Sequence, residues 1–209
     1  MSQKPVESRR ERKKQQTRAA LMEAAMALFS ERGVYGTRIE DITERADLGK
    51  GAFYNYFASK EALIAELVAQ GVQTLDDEYL AQLTGSASTA ERIGEVARLH
   101  ARFLDELPRY AVLFHQARGL LLLKQSRVEE LRKVFAHYLR RVGHALVADA
   151  DANVWSDEVL LDAAAALVGG LTGYRSHRIA ASLAPSVSTA QDVLTRALPG
   201  VLQERRIGA

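Results

Sequence analysis

The sequence predicts an all-α protein of about nine helices. Apolar residues recur at intervals of three and four along most of the chain, which is the spacing of one face of a helix. Capping boxes, in which a Ser or Thr precedes a Glu or Gln by three residues, stand ahead of several of these stretches. Alternation of apolar and polar residues, which is typical of a half-buried strand, never persists for long. The three observations together favour helices throughout.

Start and stop signals place the helices in order. The first should cover residues 17–32, the next two residues 37–56, and a long one residues 59–83. Further helices should start at the capping boxes near residues 88, 126 and 188, with a shorter one after Pro108 and another from Ser156 to about 182. Pro199 should kink or end the last helix, which would otherwise reach about residue 205.

The stretch 37–60, TRIEDITERADLGKGAFYNYFASK, predicts two short helices joined by a tight turn, followed by the start of a third. Thr37 with Glu40 forms a capping box, so the first helix should begin there. Residues 47–49 break the helical spacing, and the second helix should cover 50–56 with Phe53 facing inward. A short helix with an apolar anchor and a polar outer face suits insertion into a DNA major groove.

The predicted DNA-binding residues are those left outward when the apolar residues of this stretch face the core. Ser59 should cap the following helix, whose first turn could meet a phosphate through its amides and a cation. The full predicted set is Thr37, Arg38, Lys50, Gly51, Ala52, Tyr54, Asn55, Tyr56 and Lys60.

The run from Thr17 to Leu67 resembles the DNA-binding region of the tetracycline-repressor (TetR) family of bacterial regulators. The matching features are the helix AALMEAAMALFSERG, the Gly36-Thr37 step, Ile42, the segment GKGAFYNYF and the helix start SKEAL. Four positions depart from the usual pattern: Thr43 stands for a small Ala, Asp47 for the Gly of the turn, and Gly49 and Ala52 for hydroxyl residues. Asp tolerates the left-handed conformation that such a turn needs.

The resemblance implies three parts: a flexible basic arm at residues 1–16, a DNA-binding domain at 17–62, and a ligand-binding and dimerisation domain at 63–209. Residues 1–20 carry seven Lys and Arg against two Glu, whereas the other 189 residues carry 21 basic and 24 acidic side chains. A basic arm before a DNA-binding motif could reach phosphates or the minor groove. It could also be a solvated, disordered tail.

Small residues repeat along one face of the helix that starts at Ser156, so another helix could approach it closely. In the TetR family the last two helices of each subunit form a four-helix dimer interface. The resemblance therefore implies a homodimer, although packing within one chain would explain the same stripe. The predicted interface residues are Ala166, Gly170, Gly173, Leu194 and Leu198.

A sensor pocket needs apolar walls and a few placed polar groups, and the helices between residues 89 and 148 together with Tyr174 could supply both. Ordinary core packing explains most of these residues individually. The predicted set is Phe103, Phe114, Arg118, Leu121, Phe135, Tyr138 and Tyr174. Because buried charges are costly, we expect a mostly apolar or amphipathic effector with at most one anionic group.

The composition narrows the remaining classes of function. With no cysteine, the chain has no disulfide and no thiolate nucleophile, which fits a cytoplasmic protein. The longest uncharged apolar stretch, residues 163–174, is too short to span a bilayer, and the basic N-terminus is not a signal peptide. No catalytic or nucleotide-binding motif is present and the histidine spacing does not suit a metal, so we expect neither an enzyme nor a cofactor.

The resemblance implies a sequence-specific transcriptional regulator, most simply a repressor released from a palindromic operator by a small-molecule inducer. Alternatives within DNA binding are a regulator that activates or that needs no ligand. From a different class, the alternative is a helical scaffold whose basic arm touches a membrane or RNA.

Overall fold

The computed structural model describes residues 8–85, 88–122, 128–147 and 154–182, and within these ranges it contains helices and no strands. This confirms the all-α prediction. The α-helices are α1 Arg9–Arg32, α2 Ile39–Arg45, α3 Lys60–Thr74, α4 Thr89–Glu106, α5 Pro108–Leu121, α6 Glu129–Ala145 and α7 Asp157–Ala180. A 3₁₀-helix covers Lys50–Asn55, and α3 continues into a π-helical turn at Leu75–Tyr79 and a 3₁₀ turn at Leu80–Gln82.

Helix α1 begins eight residues earlier than predicted. The Ser8 hydroxyl accepts the Glu11 amide at 3.2 Å, so Ser8 caps a helix whose first turns carry the basic residues. Residues 9–16 of the predicted flexible arm are therefore helical, which corrects that prediction. The sequence signal was missed because these residues are polar on every face and give no apolar periodicity.

The start of α2 also differs from the prediction by one residue. Arg38 is the N-cap, and its backbone amide donates to Asp41 Oδ2 at 2.8 Å. The hydroxyl of Thr37 donates instead to the Gly33 carbonyl at 2.8 Å. The Thr37–Glu40 capping box is therefore wrong, because the Thr37 hydroxyl is used to close the end of α1.

The turn after α2 has the predicted left-handed residue. Asp47 has φ 55°, its amide donates to the Glu44 carbonyl at 3.1 Å, and the Leu48 amide donates to the Thr43 carbonyl at 2.9 Å. This pair of hydrogen bonds is a Schellman motif, which usually places glycine at the left-handed position. The expectation that Asp47 tolerates this conformation is confirmed.

The later helices follow their predicted signals closely. Ser88 and Glu91 form both hydrogen bonds of a capping box at α4, and Pro108 opens α5. Ser156 precedes α7 and accepts the Val159 amide at 3.4 Å. The capping residue Ser126 and the predicted helix from Ser188 lie outside the described residues.

The described residues form two compact units. Unit 1 contains those up to Val68 together with Val112–Leu131, and unit 2 contains Ala69–Ala111 and the described residues from Arg132 onward. Unit 1 buries α1, α2 and the 3₁₀-helix around Phe29, Ile42 and Phe53, whereas unit 2 is built around Phe103 and Tyr138. These units are not the two predicted domains, because unit 1 includes residues 112–131. The predicted boundary between DNA-binding and ligand-binding functions at residue 62 stays a prediction. No helix among the described residues is long and apolar enough to cross a membrane.

Candidate nucleic-acid interface

The 3₁₀-helix Lys50–Asn55 places one aromatic ring inside and the next one outside. Phe53 is fully buried, and its ring lies 5.5 Å from the Phe57 ring. The neighbouring Tyr54 ring meets Phe53 edge to face at 80°, yet Tyr54 is 63% exposed. The inward position predicted for Phe53 is therefore confirmed. The anchored ring holds Tyr54 at the surface, with its hydroxyl available to a ligand.

The other predicted residues of this segment are mostly accessible. Lys50, Gly51, Asn55 and Arg38 are exposed, while Ala52 and Tyr56 are half-buried. No atom lies within 4 Å of where a Cβ would stand on Gly51. The segment thus presents a hydroxyl, an amide, a cation and bare backbone, which are the groups that contact base edges and phosphates.

Thr37 does not join this surface through its side chain. It is 1% exposed, and its hydroxyl is already engaged by the Gly33 carbonyl. The assignment of Thr37 to the DNA-binding set stays a prediction, and in the structure its hydroxyl closes the end of α1.

Lys60 also has an internal role that its sequence position did not indicate. Its ammonium Nζ donates to the carbonyls of Val34 and Thr37, both at 2.9 Å. Two of its three protons therefore bind the connection between α1 and α2, residues 33–38, named here the α1–α2 loop. Ser59 accepts the Ala62 amide at 3.1 Å, as predicted for the residue that starts α3.

Ion pairs occupy part of the positive charge near this surface. Arg45 donates to Glu31 at 2.7 Å, and this hydrogen bond lowers the pKa of Glu31 and raises that of Arg45. Arg32 lies 3.0 Å from Asp41. Arg38 and Lys50 are exposed, and within the described residues neither forms an ion pair. These two cations are therefore the ones that residues 37–60 can offer to a phosphate.

A surface groove of about 720 Å³ lies beside the 3₁₀-helix within unit 1. The exposed rings of Tyr35 and Tyr54 stand along it, and it also receives Glu130 from α6. Its lining consists of Tyr35, Thr37, Arg38, Ile39, Glu40, Tyr54, Ala58, Ser59, Lys60, Glu61, Ala62 and Glu130. The mixture of cations, hydroxyls and carboxylates suits a polar partner better than an apolar molecule.

The first turns of α1 add exposed cations, but Arg18 is used internally. It forms an ion pair with Glu66, and its guanidinium lies 5.1 Å from the centre of the Phe57 ring. The five basic residues of α1 that precede Arg18 are all exposed: Arg9, Arg10, Arg12, Lys13 and Lys14.

Two residues of unit 1 that the sequence analysis missed are Gln116 and Tyr35. Gln116 Oε1 accepts the Val34 amide at 2.6 Å across 82 residues of sequence, and Tyr35 is 62% exposed beside the groove. No local pattern could have indicated the first contact, because its partners are distant in sequence. For Tyr35, the one signal in the sequence was its position next to Gly36, between two predicted helices.

The predicted effector residues do not all belong to one unit. Phe103, Phe135, Tyr138 and Tyr174 lie in unit 2, where the first three are buried, whereas the other predicted residues, Phe114, Arg118 and Leu121, lie in unit 1. His100, which the predicted set omitted, is fully buried in unit 2 with Nε2 at 2.9 Å from the Tyr138 hydroxyl. The effector site stays a prediction.

The predicted dimer residues that are described lie on the accessible side of α7. Ala166 and Gly173 are exposed and Gly170 is half-buried, and no atom lies within 4 Å of a Cβ placed on Gly173. Leu194 and Leu198 lie outside the described residues. In the described part of the chain, no cluster of three or more His, Asp or Glu could hold a metal ion.

Comparison with known proteins identifies the class. A family model described as "Bacterial regulatory proteins, tetR family" matches residues 21–67, which include α2, the turn at Asp47 and the 3₁₀-helix. The HTH-type transcriptional regulator BetI of Rhizobium meliloti is 25% identical over 181 residues, which is 84% of this chain and 86% of that protein. The HTH-type transcriptional repressor KstR2 of Mycobacterium tuberculosis is 36% identical over 76 residues, 36% of this chain and 38% of that one.

A solved structure shares the fold over nearly the whole length. The fatty acid degradation regulator FadR from Bacillus halodurans is 15% identical, covers 95% of this chain and 96% of its own, and has a TM-score of 0.61. The helix-turn-helix geometry and these matches define a DNA-binding transcriptional regulator. Residues 21–67 therefore form a DNA-binding domain of the TetR family.

Proposed function

We propose that this regulator represses transcription from a two-fold symmetric operator and leaves it when a small molecule binds. The observation that carries the proposal is the exposed Tyr54 held beside the fully buried Phe53, at the end of a helix-turn-helix with open backbone at Gly51. A side chain fixed in this way can enter a major groove without a large loss of conformational entropy. We further propose that the protein acts in the cytoplasm, where bacterial DNA lies, and has no catalytic role.

Selection from random duplex DNA with the full chain tests this proposal. The expected product is a sequence with two-fold symmetry, whose half-sites lie about 34–36 Å apart or at a near multiple. Loss of the Lys50 charge in Lys50→Ala should reduce the slope of log affinity against log salt concentration by about one. Arg140→Ala removes an exposed charge from unit 2 and should leave that slope unchanged. Enrichment of no sequence at all would contradict operator recognition.

We also propose that α7 contributes to a homodimer interface. The support is an accessible face of small residues, Ala166, Gly170 and Gly173, which would allow close contact with another helix. Gly173→Leu should dissociate the dimer, because the new side chain has room in the single chain but not in a helix–helix contact. Light scattering measures the change, with circular dichroism as the control for folding. A dimer that persists at low concentration would contradict this role for α7.

The effector is proposed to be largely apolar or amphipathic and to bind in unit 2. Phe103 lies in an aromatic cluster with Tyr79, Tyr110 and His100 at ring distances of 5.4 to 6.2 Å. Such a cluster offers dispersion contacts, together with the polar pair of His100 and Tyr138. It does not supply the several counter-charges that a polyanion would need.

A compound screen read out by loss of operator binding tests the effector proposal. Phe135→Trp should weaken the response while leaving operator affinity unchanged, because it enlarges a buried side chain of unit 2 alone. An inducer that carries several charges, or one whose action Phe135→Trp does not alter, would contradict the proposal.

A further inference from the structure

The α1–α2 loop is held by a side chain that is distant in sequence. The Val34 amide donates to Gln116 Oε1 at 2.6 Å, and Val34 is fully buried. A buried amide without an acceptor is costly, since water cannot replace the missing bond. The Gln116 oxygen on α5 therefore satisfies a backbone group that no other residue of the loop serves in the structure.

The opposite side of Val34 is also held by a side chain. Its carbonyl accepts Lys60 Nζ at 2.9 Å, so both backbone polar groups of this residue bind side chains from other helices. Gly33 has φ 81°, and a Cβ placed there would stand 3.0 Å from Gln116 Oε1. The close approach of Gln116 thus uses both the conformation and the small size of Gly33.

A second contact comes from the same face of α5. Gly119 lies three residues after Gln116, about one helical turn along, and the Tyr35 hydroxyl stands 2.8 Å from where a Gly119 Cβ would be. Gln116 and Gly119 therefore meet successive residues of one loop. Because that loop leads directly into α2, its position sets where the helix-turn-helix begins.

We propose that Gln116 is a positioning residue for operator binding, which acts by holding the Val34 amide and through it the start of α2. The inference rests on the proposed function, because it concerns the same DNA-binding surface. Gln116 does not belong to that surface itself. Loss of its oxygen should therefore weaken the fit to the operator, while contacts to the phosphates of random DNA, which depend on charge, remain.

The test uses the full chain and two readouts, hydrogen exchange of the Val34 amide by NMR and affinity for the selected operator relative to random duplex DNA. Gln116→Leu keeps the size but removes the acceptor, and it should speed Val34 exchange and lower operator affinity by about tenfold each. Gln116→Glu keeps an oxygen acceptor, so its Val34 exchange rate and operator affinity should stay close to those of the wild type. Gln70→Leu makes the same chemical change at an exposed site on α3 and should alter neither.

Each outcome separates the inference from the function on which it rests. Faster Val34 exchange with unchanged operator affinity in Gln116→Leu would overturn the positioning role. Unchanged Val34 exchange would overturn the contact itself. A wild-type chain that selects no sequence would overturn the proposed function, while its Val34 exchange would still report the contact. If Gln116→Leu does not fold, Gln116→Asn withdraws the amide by one carbon and should give intermediate losses in both readouts, and wild-type values for both would overturn the inference.

Discussion

Apart from the surface ion pairs, buried residues of the two units form their long-range hydrogen bonds in different ways. In unit 1, long side chains reach the backbone: Lys60 binds the Val34 and Thr37 carbonyls, and Gln116 binds the Val34 amide. In unit 2, buried side chains bind other side chains, as in the pairs Tyr138 with His100 and Tyr79 with Glu106. Backbone anchoring holds a loop in one conformation, whereas side-chain pairs can exchange partners without moving a helix. The first suits a rigid reading surface and the second suits a region that accepts a ligand.

Among variants that remove these hydrogen bonds, Lys60→Met should have the largest effect on the free energy of unfolding. Two backbone carbonyls would lose a charged donor, so unit 1 should lose about 2–3 kcal/mol of its free energy of unfolding. Denaturation followed by circular dichroism measures the loss. Trp155, the only tryptophan, is buried in unit 2, so its fluorescence should report a much smaller change.

A matched control for Lys60→Met is Lys50→Met, because Lys50 is exposed. It should leave the free energy of unfolding unchanged while weakening DNA binding. Equal stability of the two variants would show that the Lys60 hydrogen bonds contribute little.

In unit 2 the corresponding change is Tyr138→Phe. Removal of the hydroxyl leaves the buried His100 Nε2 without this bond, which should cost about 1–2 kcal/mol of the free energy of unfolding. Trp155 fluorescence during urea denaturation measures it. Tyr54→Phe removes an exposed hydroxyl and should cost nothing by the same assay. A neutral Tyr138→Phe would mean that the pair is not a stabilising contact.

Tyr79→Phe should have a smaller effect, and one that depends on pH. Near neutral pH it should lower the free energy of unfolding by about 1 kcal/mol. Burial, aided by the hydrogen bond to Glu106, raises the pKa of Tyr79 to about 12 from an ordinary value of 10.0. The folded state therefore favours the neutral phenol, and this contribution is present below pH 10 and is lost as pH rises toward 12. Tyr79→Phe should lack that alkaline loss.

The same variant should change the acidic limb of the stability curve. The hydrogen bond from Tyr79, followed by that from Arg102, lowers the pKa of Glu106 below its ordinary 4.5. Glu106 therefore contributes stability above pH 4.5 that is lost as pH falls through its folded pKa. In Tyr79→Phe this loss should be smaller, and titration of Glu106 by NMR should give a higher pKa. Identical acid limbs in both chains would contradict the assignment.

The smallest effect, and the one expected to stabilise, is Asp47→Gly. Asp47 has φ 55°, a conformation that costs a non-glycine residue roughly 1 kcal/mol, while glycine gains freedom in the unfolded chain. The net gain should be a few tenths of a kcal/mol in unit 1. Denaturation monitored by circular dichroism measures it, and a loss of stability would mean that the Asp47 side chain contributes more than its backbone costs.

Local chemistry in the sequence was enough to predict the features that depend on neighbouring residues. The inward Phe53, the Ser59 cap and the Ser88–Glu91 box each involve groups within a few positions of one another, whereas the left-handed turn at Asp47 was implied by the family resemblance. The matched stretch 21–67 lies where these signals are most dense. The cap of α2 was misplaced by one residue because Thr37 and Arg38 compete, and the choice depends on where the Thr37 hydroxyl bonds.

Contacts between distant residues could not be predicted. Lys60 was expected to face phosphate, but the loop carbonyls that it binds lie 26 and 23 residues away in the chain. The bond between the Val34 amide and Gln116, which lies 82 residues away, could not be predicted for the same reason. In unit 2 the apolar pattern indicated which rings are buried, yet the pairing of Tyr138 with His100 follows from helix packing rather than from spacing along one helix.

The π-helical turn after α3 indicates where related chains could differ in length by one residue. The Leu80 amide donates to the Leu75 carbonyl, five residues back, and both leucines are buried. In a regular α-helix, residues five apart point about 140° away from each other, so the wide turn brings both onto one side. A chain with one residue fewer here could form a regular α-helical turn and still bury both leucines. Alignments of relatives should therefore accept a single-residue gap at Asp76–Glu78 before one elsewhere in α3.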